Sequence, residues 1–322
     1  MRLLKKACLL LAGAVTAAGV TVLGASTPAS AADCSHVYIL TDGHLNGTTG
    51  GTWDANRTVA PPGAHLEKFL YDDGIIPVVE PHDLDTTQKY AGPALEKKVT
   101  DFHQSCPGTP ITLVGYSFGA LISGNVVASL ASKNAVPHNL LNAVLIADPR
   151  HAVHTSGVEG PAGGIMSVAP DGPGMHTTGP RNFGDIRVAN ICRHDDIICN
   201  AVNPVSNAQG FIGEMQRFNT AHTAYGDPDP NRSPWHNPAA FENSGDLMLA
   251  PSAPITWGGP AFPAPMPRDV LNSNPVYQGV IDGLSKSGDT LDWANVLNSF
   301  GLPGDQVIHE MIAALEAAGK YW

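Results

Sequence analysis

Ile111-Thr-Leu-Val-Gly-Tyr-Ser-Phe-Gly-Ala120 is the stretch on which the fold turns. Ile111 to Val114 are apolar or β-branched and read as a buried strand, and Gly115-Tyr116-Ser117-Phe118-Gly119 reads as a sharp turn. Leu121 to Ala131 follow with small and apolar residues at helical spacing. A serine on such a strand-to-helix turn has strained backbone and an exposed hydroxyl, and glycines two positions to either side let neighbouring chain approach closely. Gly-x-Ser-x-Gly alone is frequent by chance. Set between a strand and a helix, it marks Ser117 as a candidate nucleophile rather than an ordinary turn serine.

Outward from this turn, strand and helix patterns alternate. Val37 to Leu40 reads as a first strand, ending in Thr41-Asp42-Gly43-His44, and a Gly/Thr-rich loop runs on to Trp53. A helix is expected around Gly63 to Tyr71, a second strand over Ile75 to Glu80, and an amphipathic helix over Ala91 to Cys106. Ala143 to Ala147 and Ile186 to Cys192 read as further strands. Strands alternating with helices predict an α/β fold, a central parallel sheet with helices on both faces. Ser117 then lies at the carboxyl end of a central strand, where open α/β sheets place their sites.

The remainder is less regular. Pro149 to Arg181 reads as a long loop over the sheet top, a rim for a substrate groove. Tyr225 to about Pro267 is rich in Pro, Gly, Asn and Asp and lacks periodicity. Three helical patterns follow, at 269–284, 292–300 and 304–322. In the last, Val307, Ile308, Met311, Ile312 and Leu315 form an apolar stripe expected to dock on the main body. The expected division is a signal peptide at 1–31, a main domain at 32–226, a Pro/Gly-rich linker or loop at 227–267 and a C-terminal helical extension at 268–322.

The signal peptide reading rests on Arg2, Lys5 and Lys6 before an apolar stretch from Ala7 to about Gly24, then the small-residue cleavage site Ala29-Ser30-Ala31. No later segment is apolar enough, over about eighteen residues, to span a bilayer. The mature chain is therefore expected to be secreted, soluble and monomeric. Removing the three leader cations takes the net charge from −11 to −14, with no basic stripe for nucleic acid. Cys8 leaves with the leader, and Cys34, Cys106, Cys192 and Cys199 make an even set for an oxidising compartment. Of the three possible pairings, one staples the short loop 192–199 and leaves Cys34 to Cys106. No Cys-x-x-Cys pair suggests a metal. His151, His154 and His176 read as surface groups rather than zinc ligands, so no cofactor or metal is expected.

A serine nucleophile needs a base and a group to orient that base. The acid candidate is Asp196, in Cys192-Arg-His-Asp-Asp-Ile-Ile-Cys199, just past a strand; Asp195 should point elsewhere. The base candidate is His222, in Ala221-His-Thr-Ala-Tyr225. The chain order Ser, Asp, His is that of the α/β-hydrolase arrangement. Asp148, followed by Pro149, is a lesser candidate for the acid, and His236 and His309 are outside candidates for the base.

At this point the chain resembles the cutinase family of serine esterases. The resemblance lies in Gly-Tyr-Ser-Phe-Gly (115–119), Cys-x3-Asp-x2-Cys (192–199), His-x2-Tyr (222–225), Cys34 with Cys106-Pro107, and Ala147-Asp-Pro-Arg150. It spans about Cys34 to Tyr225, and PE-PPE hydrolase domains and phage mycolyl-arabinogalactan esterases look like distant kin. It implies a three-layer α/β-hydrolase sandwich, with Ser117 as nucleophile, Asp196 as acid, His222 as base, and disulfides 34–106 and 192–199. Two departures concern the oxyanion hole. Family members usually have Gln where Phe118 stands; the donor there is a backbone N–H, so Phe118 keeps it while making the site mouth more apolar. The second donor should come from His44, after Gly43, with Thr48 as the alternative. The expected activity is hydrolysis of a carboxylic ester, lipid or polyester-like, through an acyl-enzyme. The competing expectation is a catalytically silent cell-envelope or lipid-binding protein that keeps the fold.

Overall fold

The computed structural model describes residues 33–74, 82–156, 160–168, 181–202, 214, 217–227, 229 and 231–251. The expected leader, the strand at 75–80, His176 and the three C-terminal helical patterns, with His309, lie outside the described residues.

The chain order is β1 (Val37–Thr41), α1 (Gly51–Asn56), β2 (His65–Phe69), α2 (Leu84–Ser105), β3 (Ile111–Tyr116), α3 (Phe118–Lys133), β4 (Leu141–Ile146), β5 (His154–Ser156), β6 (Gly160–Gly163), α4 (Ile165–Val168), β7 (Arg187–Arg193), α5 (Ile197–Asn200), β8 (Ala201–Val202) and β9 (Asp246–Leu249). Six strands form one sheet in the order β2-β1-β3-β4-β7-β9. Every neighbour pair is parallel, with Leu40 opposite Val114 and Gly115 opposite Leu145. The strand order reverses at β1, whose two sides face β2 and β3. A crevice opens at such a switch point, outside the carboxyl ends of the strands.

Burial explains why these segments are strands. β1, β3 and β4 are buried at every position, as strands covered on both faces must be. Val37 and Ile39 point into one core with Leu95 and Val99 of α2 and Leu121, Val127 and Leu130 of α3. Tyr38 and Leu40 point into the other, with Trp53 of α1, Val114, Val144, Tyr225 and Trp235. The result is three layers. Asp83 caps α2 by accepting the Thr86 N–H at 2.7 Å. α3 is apolar nearly all round because it lies between the sheet and α2.

Three sequence expectations are corrected. The segment expected as a helix at 63–71 contains β2 instead, paired with β1 from Val37–His65 to Thr41–Phe69. Its Glu67 and Lys68 hide the strand alternation because they are only half-buried, and they pair with Lys98 and Asp54. The segment after Tyr225, which lacks periodicity in sequence, supplies β9 at the sheet's end. The loop expected at 149–181 contains β5, β6 and the short α4. Both disulfides form as the sequence suggested, with Cα–Cα distances of 5.3 Å for Cys34–Cys106 and 5.8 Å for Cys192–Cys199.

Candidate active site

The turn after β3 is built by close approach. Ser117 caps α3 at φ 54° and ψ −122°, a conformation that costs an L-residue of order 1–3 kcal/mol and that surrounding structure must impose. The sheet imposes it by accepting the Ser117 N–H on the Ile146 carbonyl at 2.8 Å. A Cβ on Gly119 would stand 2.2 Å from the Thr41 carbonyl oxygen, so only glycine lets α3 begin this near the end of β1. On the other side, a Cβ on Gly43 would stand 3.0 Å from Cβ of Ser117. The loop after β1 therefore rests against the serine.

Chain separated by about a hundred residues converges on that hydroxyl. Nε2 of His222 lies 2.9 Å from Ser117 Oγ, and its Nδ1 lies 3.0 Å from both carboxylate oxygens of Asp196. A carboxylate only accepts, so Nδ1 carries the proton and Nε2 is left to accept from the serine. Ser117, His222 and Asp196 are all buried, Asp196 completely. Of the sequence-derived candidates, these are the three that the fold brings together.

The frame around them accounts for their positions. Asp196 caps the short α5 by accepting the Ile198 N–H at 3.0 Å, inside the loop closed by Cys192–Cys199. The rings of Phe218 and Tyr116 both stack on His222, with centroids at 5.0 and 4.9 Å. The Tyr116 hydroxyl also donates to the His222 carbonyl at 2.8 Å. Arg193 donates from Nη1 to the Ala224 carbonyl at 2.7 Å and from Nε to Asp195 at 3.2 Å. Asp195 therefore braces the arginine that holds the histidine loop. Sequence reading gives no role to Tyr116, Phe218, Arg193 or Tyr225, although Tyr225 belongs to the His-x2-Tyr motif and Tyr116 to the Gly-Tyr-Ser-Phe-Gly turn.

The other candidates sit elsewhere. Asp148 is engaged by the guanidinium of Arg181 through both carboxylate oxygens. The backbone carbonyl of His236 accepts from the Val59 N–H. His151 is buried, with Nδ1 3.1 Å from the Cys199 carbonyl, so it is not the surface group the sequence suggested. Among the described residues, no group of three or more His, Cys, Asp or Glu could hold a metal ion. His44 is half-buried, its Nδ1 2.8 Å from the Asp73 carbonyl, whereas Thr48 is exposed. Asp42 holds this loop by accepting the Gly43 and Thr52 N–H groups at 2.7 and 2.8 Å; burial raises its pKa against those bonds. Phe118 corrects one expectation: its side chain is 3% exposed, packed against Tyr71 in the core, and so forms no part of the site mouth.

The cutinase family model matches residues 77–224. A carboxylesterase Culp6 homolog from Corynebacterium glutamicum is 32% identical over 148 residues, covering 41% of this chain and 48% of that protein. The chain thus spans about half the length of the curated relative it matches. Among solved structures, a cutinase-like protein from Cryptococcus sp. aligns with a TM-score of 0.36 and 18% identity, over 59% of this chain and 95% of that one. The catalytic core domain of acetyl xylan esterase from Trichoderma reesei aligns with a TM-score of 0.36 and 18% identity, over 58% and 97%. The matched residues, 77–224, contain Ser117, Asp196 and His222, and what they are similar to is the cutinase family.

Proposed function

We propose that this chain is a secreted serine esterase that hydrolyses carboxylic esters through an acyl-enzyme, without a cofactor. The observation that carries the reading is the continuous relay from Ser117 Oγ through His222 to Asp196, at 2.9 and 3.0 Å. Similarity to a protein named as a carboxylesterase supports the same reaction class.

In this reading His222 Nε2 takes the Ser117 proton as Oγ attacks the ester carbonyl. Asp196 holds the imidazole in the Nδ1–H tautomer and stabilises the imidazolium. The backbone N–H of Phe118, at the first turn of α3, and the backbone around His44 stabilise the oxyanion. Imidazolium then protonates the leaving alcohol, and water repeats the sequence on the acyl-enzyme. Two disulfides suit an oxidising compartment. No helix among the described residues is long and apolar enough to cross a membrane.

The test is turnover of p-nitrophenyl butyrate by wild type and Ser117→Ala. Loss of at least about a thousandfold in kcat, with Tm nearly unchanged, is expected from the size of such effects. Residual activity above that level would point to another nucleophile. A wild-type protein that turns over no ester while binding lipid would favour the silent binding protein.

A further inference from the structure

Tyr225 stands three residues beyond His222 and is only 2% exposed, out of reach of any substrate. Its hydroxyl donates to Oδ2 of Asp196 at 2.5 Å and accepts the Arg193 N–H at 3.3 Å. Edge contacts with Tyr116 and Trp235, at 6.4 and 6.1 Å, fix the ring, and Ser233 Oγ donates to the Tyr225 carbonyl at 3.2 Å. Each carboxylate oxygen of Asp196 therefore has one fixed donor besides the imidazole: the Ile198 N–H on Oδ1 and the phenol on Oδ2.

Two physical consequences follow. A carboxylate held from both sides cannot swing away from Nδ1, so its plane stays aligned with the imidazole. A strong donor on Oδ2 also withdraws charge from the carboxylate and limits how tightly it holds a protonated His222. Burial and the Asp196 charge push the Tyr225 pKa well above that of a free phenol, so the group keeps its proton wherever esterases are assayed.

We propose that Tyr225 is a positioning residue that acts through Asp196, aligning the base and setting its basicity. The inference rests on the Ser117–His222–Asp196 reading of the site. Tyr225→Phe keeps the ring and removes only the donor. The expected result in the full-length protein is a kcat lower by about tenfold or more, the scale of one hydrogen bond to a charged group, with KM within about twofold. The acidic limb of the kcat–pH profile should move up by about half a pH unit, because the freed carboxylate holds imidazolium more tightly. A merely structural tyrosine would lower the fraction of protein labelled by a fluorophosphonate and leave the limb in place. An unmoved limb in fully labelled protein overturns the proposal.

Should the Phe variant fail to fold, site-specific 3-fluorotyrosine at 225 preserves the shape and strengthens the donor. The limb should then move down, and no movement overturns the proposal equally. The two readings fail separately. Activity surviving in Ser117→Ala sinks the triad, whereas a dead Ser117→Ala with an unmoved limb in Tyr225→Phe sinks only the role of Tyr225.

Discussion

Gly119→Ala offers the sharpest test of how the fold makes the site. Gly119 lies in the first turn of α3 in ordinary helical backbone, so alanine should be tolerated, even favoured, by intrinsic propensity. The obstacle is tertiary. The new methyl would stand 2.2 Å from the Thr41 carbonyl oxygen and 2.4 Å from that of Asp42, and neither backbone atom is free to rotate away. Restoring an ordinary contact needs a shift of roughly 1 Å between the start of α3 and the end of β1, and overpacking of that kind costs about 3 kcal/mol. At about 2–4 °C per kcal/mol for a domain of this size, Tm should fall by about 6–12 °C. The same shift carries Ser117 and the Phe118 N–H away from His222 and the loop at Gly43, so kcat/KM should fall by about a hundredfold. Thermal melts by circular dichroism, with butyrate ester hydrolysis well below Tm, read both quantities. A variant within about 2 °C and threefold of wild type would refute the reasoning, because the close approach would then not constrain the turn.

The two disulfides should separate stability from activity. By loop-closure entropy, removing Cys34–Cys106, with its sequence separation of 72, should cost about 4 kcal/mol, and removing Cys192–Cys199, with a separation of 7, about 2.5 kcal/mol. Esterase activity in folded protein should show the reverse order, since only the smaller loop holds Asp196; equal activity losses in the two Cys→Ser pairs would contradict this. His151 gives a pH prediction. Burial pulls its pKa down, but the Asp246 carboxylate 3.7 Å from Nε2, then Asp148 and the Cys199 carbonyl, outweigh burial and raise it. A raised folded pKa adds stability below the unfolded value that is lost as pH rises through the folded one. Asp246→Asn should therefore lower the His151 titration midpoint seen by NMR and reduce Tm more at about pH 5.5 than at about pH 8; an unmoved midpoint would rule this out.

The sequence alone determined what is encoded within a few residues. Strand, elbow and helix sit together at 111–131, so Ser117 could be placed at a sheet's carboxyl end without coordinates. Cys192 and Cys199 stand seven positions apart, which makes their pairing legible. Tertiary structure decided whatever depends on a distant partner. β2 is a strand because β1 offers it a parallel edge, despite the helix-like Glu67 and Lys68. β9 is a strand because β7 does the same at the far side of the sheet. Asp148 is held through both carboxylate oxygens by Arg181, 33 residues on. The His-x2-Tyr motif marks Tyr225 but gives it no partner until its hydroxyl is found on Asp196, 29 residues away. Local pattern carries propensity and turn chemistry, while hydrogen-bond partners across the chain are chosen only when the layers pack.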